Sequence, residues 1–365
     1  MKNIAVFFGG DSVEHDVSVI TGVLTANSLD KEKFRAYPIL VTHDGEWFTG
    51  EQLKDVDNYK NLDFKRLSQV TFKAGDNVLC ALKKNKLKPL ATIAVAIICM
   101  HGERGEDGSL AGFLNMCKVP VCSPDILPSS VSIDKIATKY FLKGLGIKTV
   151  PYLSTTGKLD KSEVQKKLGY PIIVKPNRLG SSIGIEKVDS ADKLDDAVFS
   201  ALRYGEKAII EKCLTDFIEI NCAVYENSNG DLVVSECERP LGYDNILTFD
   251  DKYKNGQREY PANIPVEISE KIKSISKKVY LTLGFSGIIR IDFMISNGEI
   301  YLNEINSVPG SLAYYLFCTT LKDFSGLLTD LISGAEKRFS ALSTVNKKFS
   351  SSILFSVGNK GAKRL

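Results

Sequence analysis

RIDFMISNGEIYLNEINSVPG, residues 290–310, is the stretch that decides the fold of the C-terminal part of the chain. Two apolar-rich runs, Ile289 to Ile295 and Glu299 to Asn306, flank the triplet Ser296-Asn297-Gly298. Runs of this length on either side of an Asn-Gly pair are typical of a β-hairpin. The stretch therefore predicts an antiparallel ribbon whose side chains alternate between two faces.

The register of this hairpin decides which polar side chains share a face. A two-residue turn would place Asp292 and Glu304 on opposite faces. A three-residue loop with Gly298 in the left-handed conformation would place them together, with Arg290 opposite Glu304 and Asn306 on the same surface. Two carboxylates and an amide oxygen suit Mg²⁺, which takes oxygen ligands and shares them with water and phosphate. An exposed ribbon that carries ordinary charges is the alternative.

Composition limits the classes of protein to consider. The chain has 365 residues, which predicts two or three domains, and its 44% hydrophobic and 25% charged residues are typical of a globular protein. A net charge of +3 is too small to indicate nucleic-acid binding, but leaves an anionic small molecule open. The eight cysteines form no C-x-x-C pair, so we expect them to be reduced and mostly in the core.

Two apolar segments bear on location. The N-terminal MKNIAVFFGG is too short for the core of a signal peptide. The longest apolar run, Ala91 to Met100, cannot span a bilayer and is predicted to be one buried strand. We therefore expect a cytoplasmic protein without membrane attachment.

The N-terminal segment predicts a strand, a turn and a helix. Ile4 to Phe8 reads as a buried parallel strand that ends at Gly9-Gly10, and no G-x-G-x-x-G fingerprint follows it. Ser12 is expected to cap a helix that begins near Val13. Glu14 then falls in its first turn, where it either serves a site or only complements the helix dipole.

Two later loops follow buried strands, where α/β folds place ligand contacts. His101 opens the loop after Ala91 to Met100, although a lone histidine is more often structural. Lys175 ends a strand before the loop Asn177 to Gly184, whose backbone N–H groups and hydroxyls could wrap phosphate oxygens. The chain has no Walker A sequence, and a flexible hairpin loop is the alternative. The polar run from Glu238 to Pro261 is typical of a lid or of a disordered segment.

Seven segments follow one order along the chain: FFGGDSVEHDVS, HGERGEDGSLAG, SSVSIDKIATK, YPIIVKPNRLGSSIGIEKV, EKCL with Glu219, DDKYK, and RIDF with NEINSVPG. Together they resemble the D-alanine:D-alanine ligases of the ATP-grasp superfamily, from Ile4 to about Leu316. The resemblance implies an α/β protein with an N-terminal Rossmann-like domain (1–125), a central ATP-grasp subdomain (126–212) and a C-terminal one (213–340) with a lid loop (238–261). A weakly ordered basic tail (341–365) would follow.

The resemblance also implies an activity and its site. The protein would join two D-alanines at the expense of ATP, through an acyl phosphate, for peptidoglycan synthesis and hence cell shape. It implies phosphate and nucleotide contacts from Lys135, Lys175, Ser182, Glu211, Leu214, Glu219 and Lys252. Two Mg²⁺ or Mn²⁺ ions would be held by Asp292, Glu304 and Asn306. The substrates and the oxyanion would be met by Glu14, Ser181, Tyr253, His101, Arg290 and Gly310.

Within that implied set, Glu211 and Leu214 would meet the adenine and Glu219 the ribose, and the resemblance suggests a homodimer. One position departs from the family pattern, because Tyr315 stands where a serine usually binds the second substrate's carboxylate. Two alternatives therefore stay open. One is a ligase for another acceptor, such as a different amino acid or a hydroxy acid, and the other is an inactive nucleotide-binding paralogue.

Overall fold

A computed structural model describes residues 1–84, 86–181, 183–241, 257–346, 349–351 and 355. The strands are β1 (Lys2–Gly9), β2 (Phe34–Val41), β3 (Trp47–Thr49), β4 (Ser68–Phe72), β5 (Val78–Lys83), β6 (Lys86–Thr92), β7 (Val95–Ile98), β8 (Tyr152–Thr155), β9 (Ile172–Pro176), β10 (Glu186–Val188), β11 (Ala208–Lys212), β12 (Ile218–Glu226), β13 (Leu232–Val234), β14 (Arg239–Pro240), β15 (Arg258–Glu259), β16 (Ile289–Ser296) and β17 (Glu299–Asn306). The helices are α1 (His15–Ser28), α2 (Ser109–Met116), α3 (Ile126–Ile133), α4 (Lys135–Gly144), α5 (Lys161–Lys167), α6 (Leu194–Leu202), α7 (Val266–Leu283) and α8 (Leu321–Thr344).

The first sheet has seven strands in the order β6-β5-β4-β3-β2-β1-β7. The prediction for Ile4 to Phe8 is confirmed, because β1 is fully buried there and runs parallel to both β2 and β7. Helix α1 packs on β1 so closely that a Cβ at Gly22 would lie 2.2 Å from the Phe8 ring. Glycine at this position therefore fixes how near the helix comes to the sheet.

Two predicted boundaries in this region are wrong. Helix α1 begins at His15 rather than near Val13, and Ser12 accepts the Glu14 N–H at 3.0 Å in a turn before the helix. The single strand predicted for Ala91 to Met100 is the end of β6 and all of β7. These two strands lie at opposite edges of the sheet order although only two residues separate them, so the sheet curls back on itself. A continuous apolar run gives no periodic signal of such a break.

Two four-stranded antiparallel sheets follow, in the orders β10-β9-β11-β8 and β13-β12-β16-β17. The three large sheets fall one in each predicted domain, whose boundaries themselves stay a prediction. Asp134 caps α4, because its side chain accepts the Ala137 N–H. Helix α8 continues to Thr344, four residues into the predicted tail.

Strands β16 and β17 form the predicted hairpin, but by a different turn. Ser296 pairs with Glu299, so the turn has two residues, Asn297 and Gly298, which both adopt positive φ. The predicted three-residue loop is therefore wrong. A β-bulge between Asp292 and Phe293 shifts the register by one residue.

The bulge restores the shared face that the three-residue loop was expected to supply. Asp292 lies opposite Glu304, and Arg290 lies opposite Asn306 rather than opposite Glu304 as predicted. Residues directly opposite each other in an antiparallel ladder have neighbouring side chains. The two carboxylates and the amide thus share one surface.

In the described ranges, no helix is both long and apolar enough to cross a membrane. All eight cysteines are free thiols; six are buried, and Cys213 and Cys318 are half-buried. This agrees with the prediction that they are reduced and mostly in the core.

Candidate functional site

The hairpin face is organised by one ion pair. Arg290 donates from Nε to Asp292 Oδ1 at 2.7 Å and from Nη2 to Oδ2 at 2.9 Å, a two-point contact within one strand. Asn306 donates from Nδ2 to Asp292 Oδ2 at 3.0 Å. The amide oxygen of Asn306 is therefore turned away from Asp292. Arg290 and Asp292 are both mostly buried, with side chains 16% and 14% exposed.

The donor set on this face fits a hard cation. Asp292 Oδ1 accepts only the Arg290 Nε–H among the contacts above, so it keeps lone-pair capacity. Glu304 and the Asn306 amide supply further oxygens on the same face. In the part of the chain that the structure describes, no three carboxylate, imidazole or thiol groups cluster as a metal cage. Mg²⁺ needs no such cage, because it usually takes one or two carboxylates and completes its shell with water and phosphate.

A cleft of about 1100 Å³ lies between the second and third sheets, and we call it the intersheet cleft. Its apolar lining includes Ile173, Leu214, Phe217 and Met294. The predicted nucleotide contacts that line it are Lys135, Lys175, Glu211, Leu214 and Glu219. A slot that combines apolar walls with converging lysine and glutamate side chains has the character of a site for a charged small molecule.

Strand alternation explains why charged and apolar residues separate around the intersheet cleft. Ile172 and Val174 of β9 are fully buried in the core of the central sheet. Ile173 and Lys175 alternate with them and face the cleft. Glu211 of β11 lies directly opposite Ile173 in the ladder, so it shares that face.

Glu211 is held between two lysines. Lys175 Nζ lies 2.7 Å from Glu211 Oε2, and Lys139 Nζ lies 2.7 Å from Glu211 Oε1. The exposed fractions of the three side chains are 8%, 7% and 2% for Lys175, Glu211 and Lys139. Burial disfavours the charged acid, but Lys175 and then Lys139 outweigh it and lower the pKa of Glu211 to about 2. The carboxyl is thus ionised at neutral pH.

A smaller cavity of about 490 Å³, which we call the inner cavity, adjoins the intersheet cleft. Glu14 lines it, and Ser181, which lines the intersheet cleft, donates a short hydrogen bond from Oγ to Glu14 Oε1. Gly180 passes so close to Glu14 that a Cβ there would meet its oxygens at 3.1 and 3.2 Å. The structure therefore brings the loop after β9 onto the start of α1.

Lys135 stands where the two cavities meet. Its Nζ donates to the Leu179 carbonyl at 2.7 Å, which ties α4 to the loop after β9. Burial lowers the pKa of Lys135, and the charge of Glu304 opposes that shift. Lys135 and Glu304 both line both cavities.

His101 is buried and is connected through Thr21 to the turn at Ser311. Thr21 Oγ1 lies 3.1 Å from His101 Nε2 and accepts the Ser311 N–H at 3.0 Å. Burial lowers the pKa of His101 to about 4, although a hydrogen bond to the Val308 backbone opposes this. The imidazole is therefore neutral at pH 7 and links β7 to the turn that Gly310 begins.

Glu106 was missed by the sequence reasoning. It accepts the N–H of Gly102 at Oε2, 2.8 Å, and that of Val308 at Oε1, 3.1 Å, so it joins the loops after β7 and β17. Burial, and then the charge of Glu14, raise the pKa of Glu106 to about 8. The acidic residues of HGERGEDG were the available signal. Lys139 was also missed as a site residue.

Tyr315 lies against both arginines of this region. The Arg258 guanidinium stands 4.8 Å above its ring, and Arg258 also pairs with Glu238 at 3.1 Å. Burial raises the pKa of Tyr315, whereas the charge of Arg290 and a side-chain hydrogen bond with it act in the opposite direction. The phenol thus reaches Arg290 itself. Three predicted site residues, Ser182, Lys252 and Tyr253, lie outside the described residues, as does 242–256 of the predicted lid.

Comparison with known proteins agrees with this geometry. Two family profiles match, D-ala D-ala ligase N-terminus over residues 3–124 and D-ala D-ala ligase C-terminus over residues 141–333. The D-alanine–D-alanine ligase of Thermosipho melanesiensis is 36% identical over 349 residues, which are 93% of this chain and 95% of that protein.

Solved structures give the same result. The D-alanine–D-alanine ligase of Helicobacter pylori superposes with a TM-score of 0.75 at 29% identity, over 92% of this chain and 98% of that one. The VanG D-Ala:D-Ser ligase of Enterococcus faecalis gives 0.73 at 26% identity, over 93% and 99%. The fold is therefore the ATP-grasp fold predicted from the sequence, and the chain belongs to the family of D-alanine–D-alanine ligases.

Proposed function

We propose that the protein joins two molecules of D-alanine into D-alanyl-D-alanine with ATP, and that the dipeptide serves peptidoglycan synthesis. The observation that carries the proposal is the junction of the two cavities. The intersheet cleft and the inner cavity share five lining residues: Lys135, Leu179, Gly180, Asn303 and Glu304. A nucleotide in the intersheet cleft and an amino acid in the inner cavity would meet at the charged side chains of Lys135 and Glu304.

The chemistry requires such a junction. A carboxylate is a poor acyl donor, so its oxygen first bonds to the γ-phosphorus of ATP while the bond from that phosphorus to ADP breaks. The amine of the second amino acid then bonds to the carbonyl carbon, and phosphate leaves. The protein's main contributions to phosphoryl transfer are positioning and cations. Water must be kept out of the site, which is the role we propose for the segment 238–261.

For the nucleotide, we assign the phosphates to Lys135, Lys175 and Ser182, the adenine to Glu211 and Leu214, and the ribose to Glu219, with Lys252 completing the site. The apolar walls of the intersheet cleft support a planar base, and its buried Lys175 and half-buried Lys135 support an anionic tail. Asp292, Glu304 and Asn306 would hold Mg²⁺ or Mn²⁺, which when bound supplies positive charge to the phosphates.

For the amino acids, we assign orientation of the first substrate to Glu14, Ser181 and Tyr253. The hydrogen bond from Ser181 to Glu14 supports a preformed subsite for this substrate. His101 is neutral and holds the Gly310 turn through Thr21, so we place it beside the first substrate as a support rather than as a cation.

Arg290, with the Gly310 N–H, would stabilise the oxyanion that forms when the amine attacks. Its two-point pair with Asp292 supports a fixed orientation for that role.

The acceptor is the open point of the proposal. D-Alanine is favoured by family membership, but Tyr315 fills the position of the usual serine and bonds to Arg290. Another D-amino acid or a hydroxy acid is therefore the second candidate. An inactive paralogue is disfavoured, because a pure nucleotide binder has no need of Arg290. We also propose that the enzyme works as a homodimer in the cytoplasm, where ATP is made, and its mass by light scattering tests the dimer.

The direct test is an assay of the purified protein with ATP, Mg²⁺ and D-alanine, which follows ADP by coupled oxidation of NADH and dipeptide by chromatography. We expect one ADP per dipeptide, and no dipeptide from L-alanine as the matched control. D-Serine and D-lactate, each offered with limiting D-alanine, test the second candidate. ADP release without any condensed product would contradict the ligase proposal.

A further inference from the structure

Lys139 is a buried cation that no proposed contact with substrate uses. It lies on α4 with its whole residue only 3% exposed. Its Nζ contacts Glu211 Oε1 at 2.7 Å and donates to the Val150 carbonyl at 3.1 Å. The same atom lies 5.1 Å from the centre of the Tyr152 ring. A buried lysine is costly, so three partners arranged around it indicate a selected position.

The two lysines around Glu211 differ in what they can reach. Lys175 lines the intersheet cleft and contacts Glu211 Oε2, whereas Lys139 is not part of the cleft lining and contacts Oε1 from behind. Phosphate oxygens in the cleft would compete for Lys175. They would not reach Lys139. Lys139 is therefore the cation that stays with Glu211 when the cleft is filled.

The protonation state of Glu211 decides which base it can bind. An ionised carboxylate only accepts hydrogen bonds, so it suits the 6-amino group of adenine and is repelled by the 6-oxo group of hypoxanthine or guanine. A protonated carboxyl or an amide can also donate, and would accept a 6-oxo purine. Any group that keeps Glu211 ionised in the filled cleft thereby selects adenine.

We propose that Lys139 is a positioning residue that holds Glu211 as an ionised acceptor and so makes the cleft selective for adenine nucleotides. This inference rests on the proposed function, which places a base against Glu211. Lys139 lies outside the proposed substrate contacts. Base selectivity is a property that a merely structural lysine would not control.

The test compares ATP with inosine triphosphate, which has an oxygen in place of the 6-amino group. The variants are Lys139→Met, which removes charge and donors, Lys139→Gln, which keeps donors without charge, and Lys139→Arg, which keeps both. Lys143→Met is the matched control, since Lys143 is an exposed lysine one turn further along α4. The readouts are kcat and KM for each nucleotide, and nucleotide affinity by calorimetry.

We expect the wild-type enzyme to prefer ATP at least about a hundredfold in kcat/KM, since a site built for one hydrogen-bonding pattern rejects the other strongly. Lys139→Met and Lys139→Gln should lower this preference about tenfold or more. The change should lie mainly in KM for ATP, with kcat within about threefold of wild type. Lys139→Arg should restore the preference, and Lys143→Met should leave it unchanged.

The inference is overturned if both charge-removing variants keep the wild-type preference, whatever their affinity. It is overturned also if both fail to fold, because Lys139 would then be only a structural support. Failure of the proposed function is a separate result. It would appear as a wild-type protein that makes no dipeptide, and calorimetry with the two nucleotides would still measure base selectivity in every variant.

Discussion

The hairpin of β16 and β17 and the lysine pair around Glu211 both set a carboxylate beside cations, but they are assembled differently. The partner of Asp292 is Arg290, two residues away on the same strand. The partners of Glu211 come from α4 and β9, and meet only when the central sheet folds. The Arg290–Asp292 pair is therefore local, whereas the cluster around Glu211 depends on tertiary packing.

This difference has consequences for stability as well as for function. The hairpin pair is somewhat more exposed than the Glu211 cluster, with side chains 14–16% exposed, and each member lies within the β16–β17 ladder. Lys139 and Glu211 are 2% and 7% exposed, so removing one partner leaves a buried charge with less compensation. We therefore expect changes in the hairpin to affect turnover and changes around Glu211 to affect both stability and nucleotide binding.

The largest effect is expected at the hairpin. Asp292→Asn and Glu304→Gln should each lower turnover about a thousandfold with little change in melting temperature, because the metal that we propose there would neutralise charge that builds in phosphoryl transfer. Glu299→Gln is the matched control, since Glu299 lies on the same hairpin but forms an exposed pair with Lys148. Near-normal turnover in both variants would move the metal site elsewhere.

The second effect is on acid stability. The pKa of Glu211 falls from 4.5 to about 2 on folding, so its contribution is complete above pH 4.5 and is lost as the pH falls through 2. A shift of this size corresponds to about 3 kcal/mol between pH 5 and pH 2. Glu211→Gln should lack this share of the acid destabilisation in urea unfolding at several pH values. The exposed Glu206→Gln is the control and should lose stability with falling pH as the wild type does. The prediction is contradicted if Glu211→Gln loses stability with falling pH as steeply as the wild type and this control.

Lys175→Ala should reduce ATP affinity by about tenfold to a hundredfold, because the charge-assisted contact to phosphate that we propose for this buried lysine would be lost. Calorimetry measures this directly. The exposed Lys193→Ala provides the control. Unchanged affinity would place the phosphates away from Lys175. The lysines around Glu211 would then differ from the Arg290–Asp292 pair only in how they support the structure.

The hairpin shows how far sequence reasoning reaches. The alternation of apolar residues and the Asn-Gly pair were sufficient to predict two antiparallel strands. The shared face of Asp292 and Glu304 was also predicted, but from a three-residue loop that does not form. The structure reaches the same face through a bulge beside Asn303. Whether a strand bulges depends on its neighbours in the sheet, and the pattern of one strand does not report it.

The partners of Glu211 show what sequence could not supply. Lys175 was found because it ends a strand before a glycine-containing loop. Lys139 has no local signal, since a lysine on a helix is ordinarily solvated. Its burial follows from its contacts with Glu211 of β11 and Tyr152 of β8, which lie far from it along the chain. Glu106 was overlooked for a similar reason, because its partner Val308 comes from the far end of the chain.

The smallest and most specific effect is expected at Tyr315, where the structure sharpens the prediction made from sequence. The phenol bonds to Arg290, and Arg258 stacks on the ring. The side chain therefore occupies space beside the arginine that we assign to the oxyanion. A second substrate must fit around a ring that a serine would not present.

Loss of a well-placed hydrogen bond to a carboxylate costs about 1.5 to 3 kcal/mol, which is about a tenfold to hundredfold loss of affinity. We therefore expect a high KM for D-alanine as acceptor in the wild type, and Tyr315→Ser should lower it about tenfold while KM for ATP stays constant. Tyr315→Phe keeps the ring and its stacking but not the hydroxyl, so it separates bulk from hydrogen bonding. If the wild type binds the acceptor tightly and Tyr315→Ser weakens it, the phenol is itself the ligand of the acceptor carboxylate. In that case Arg258 and Arg290 hold the ring in place for binding.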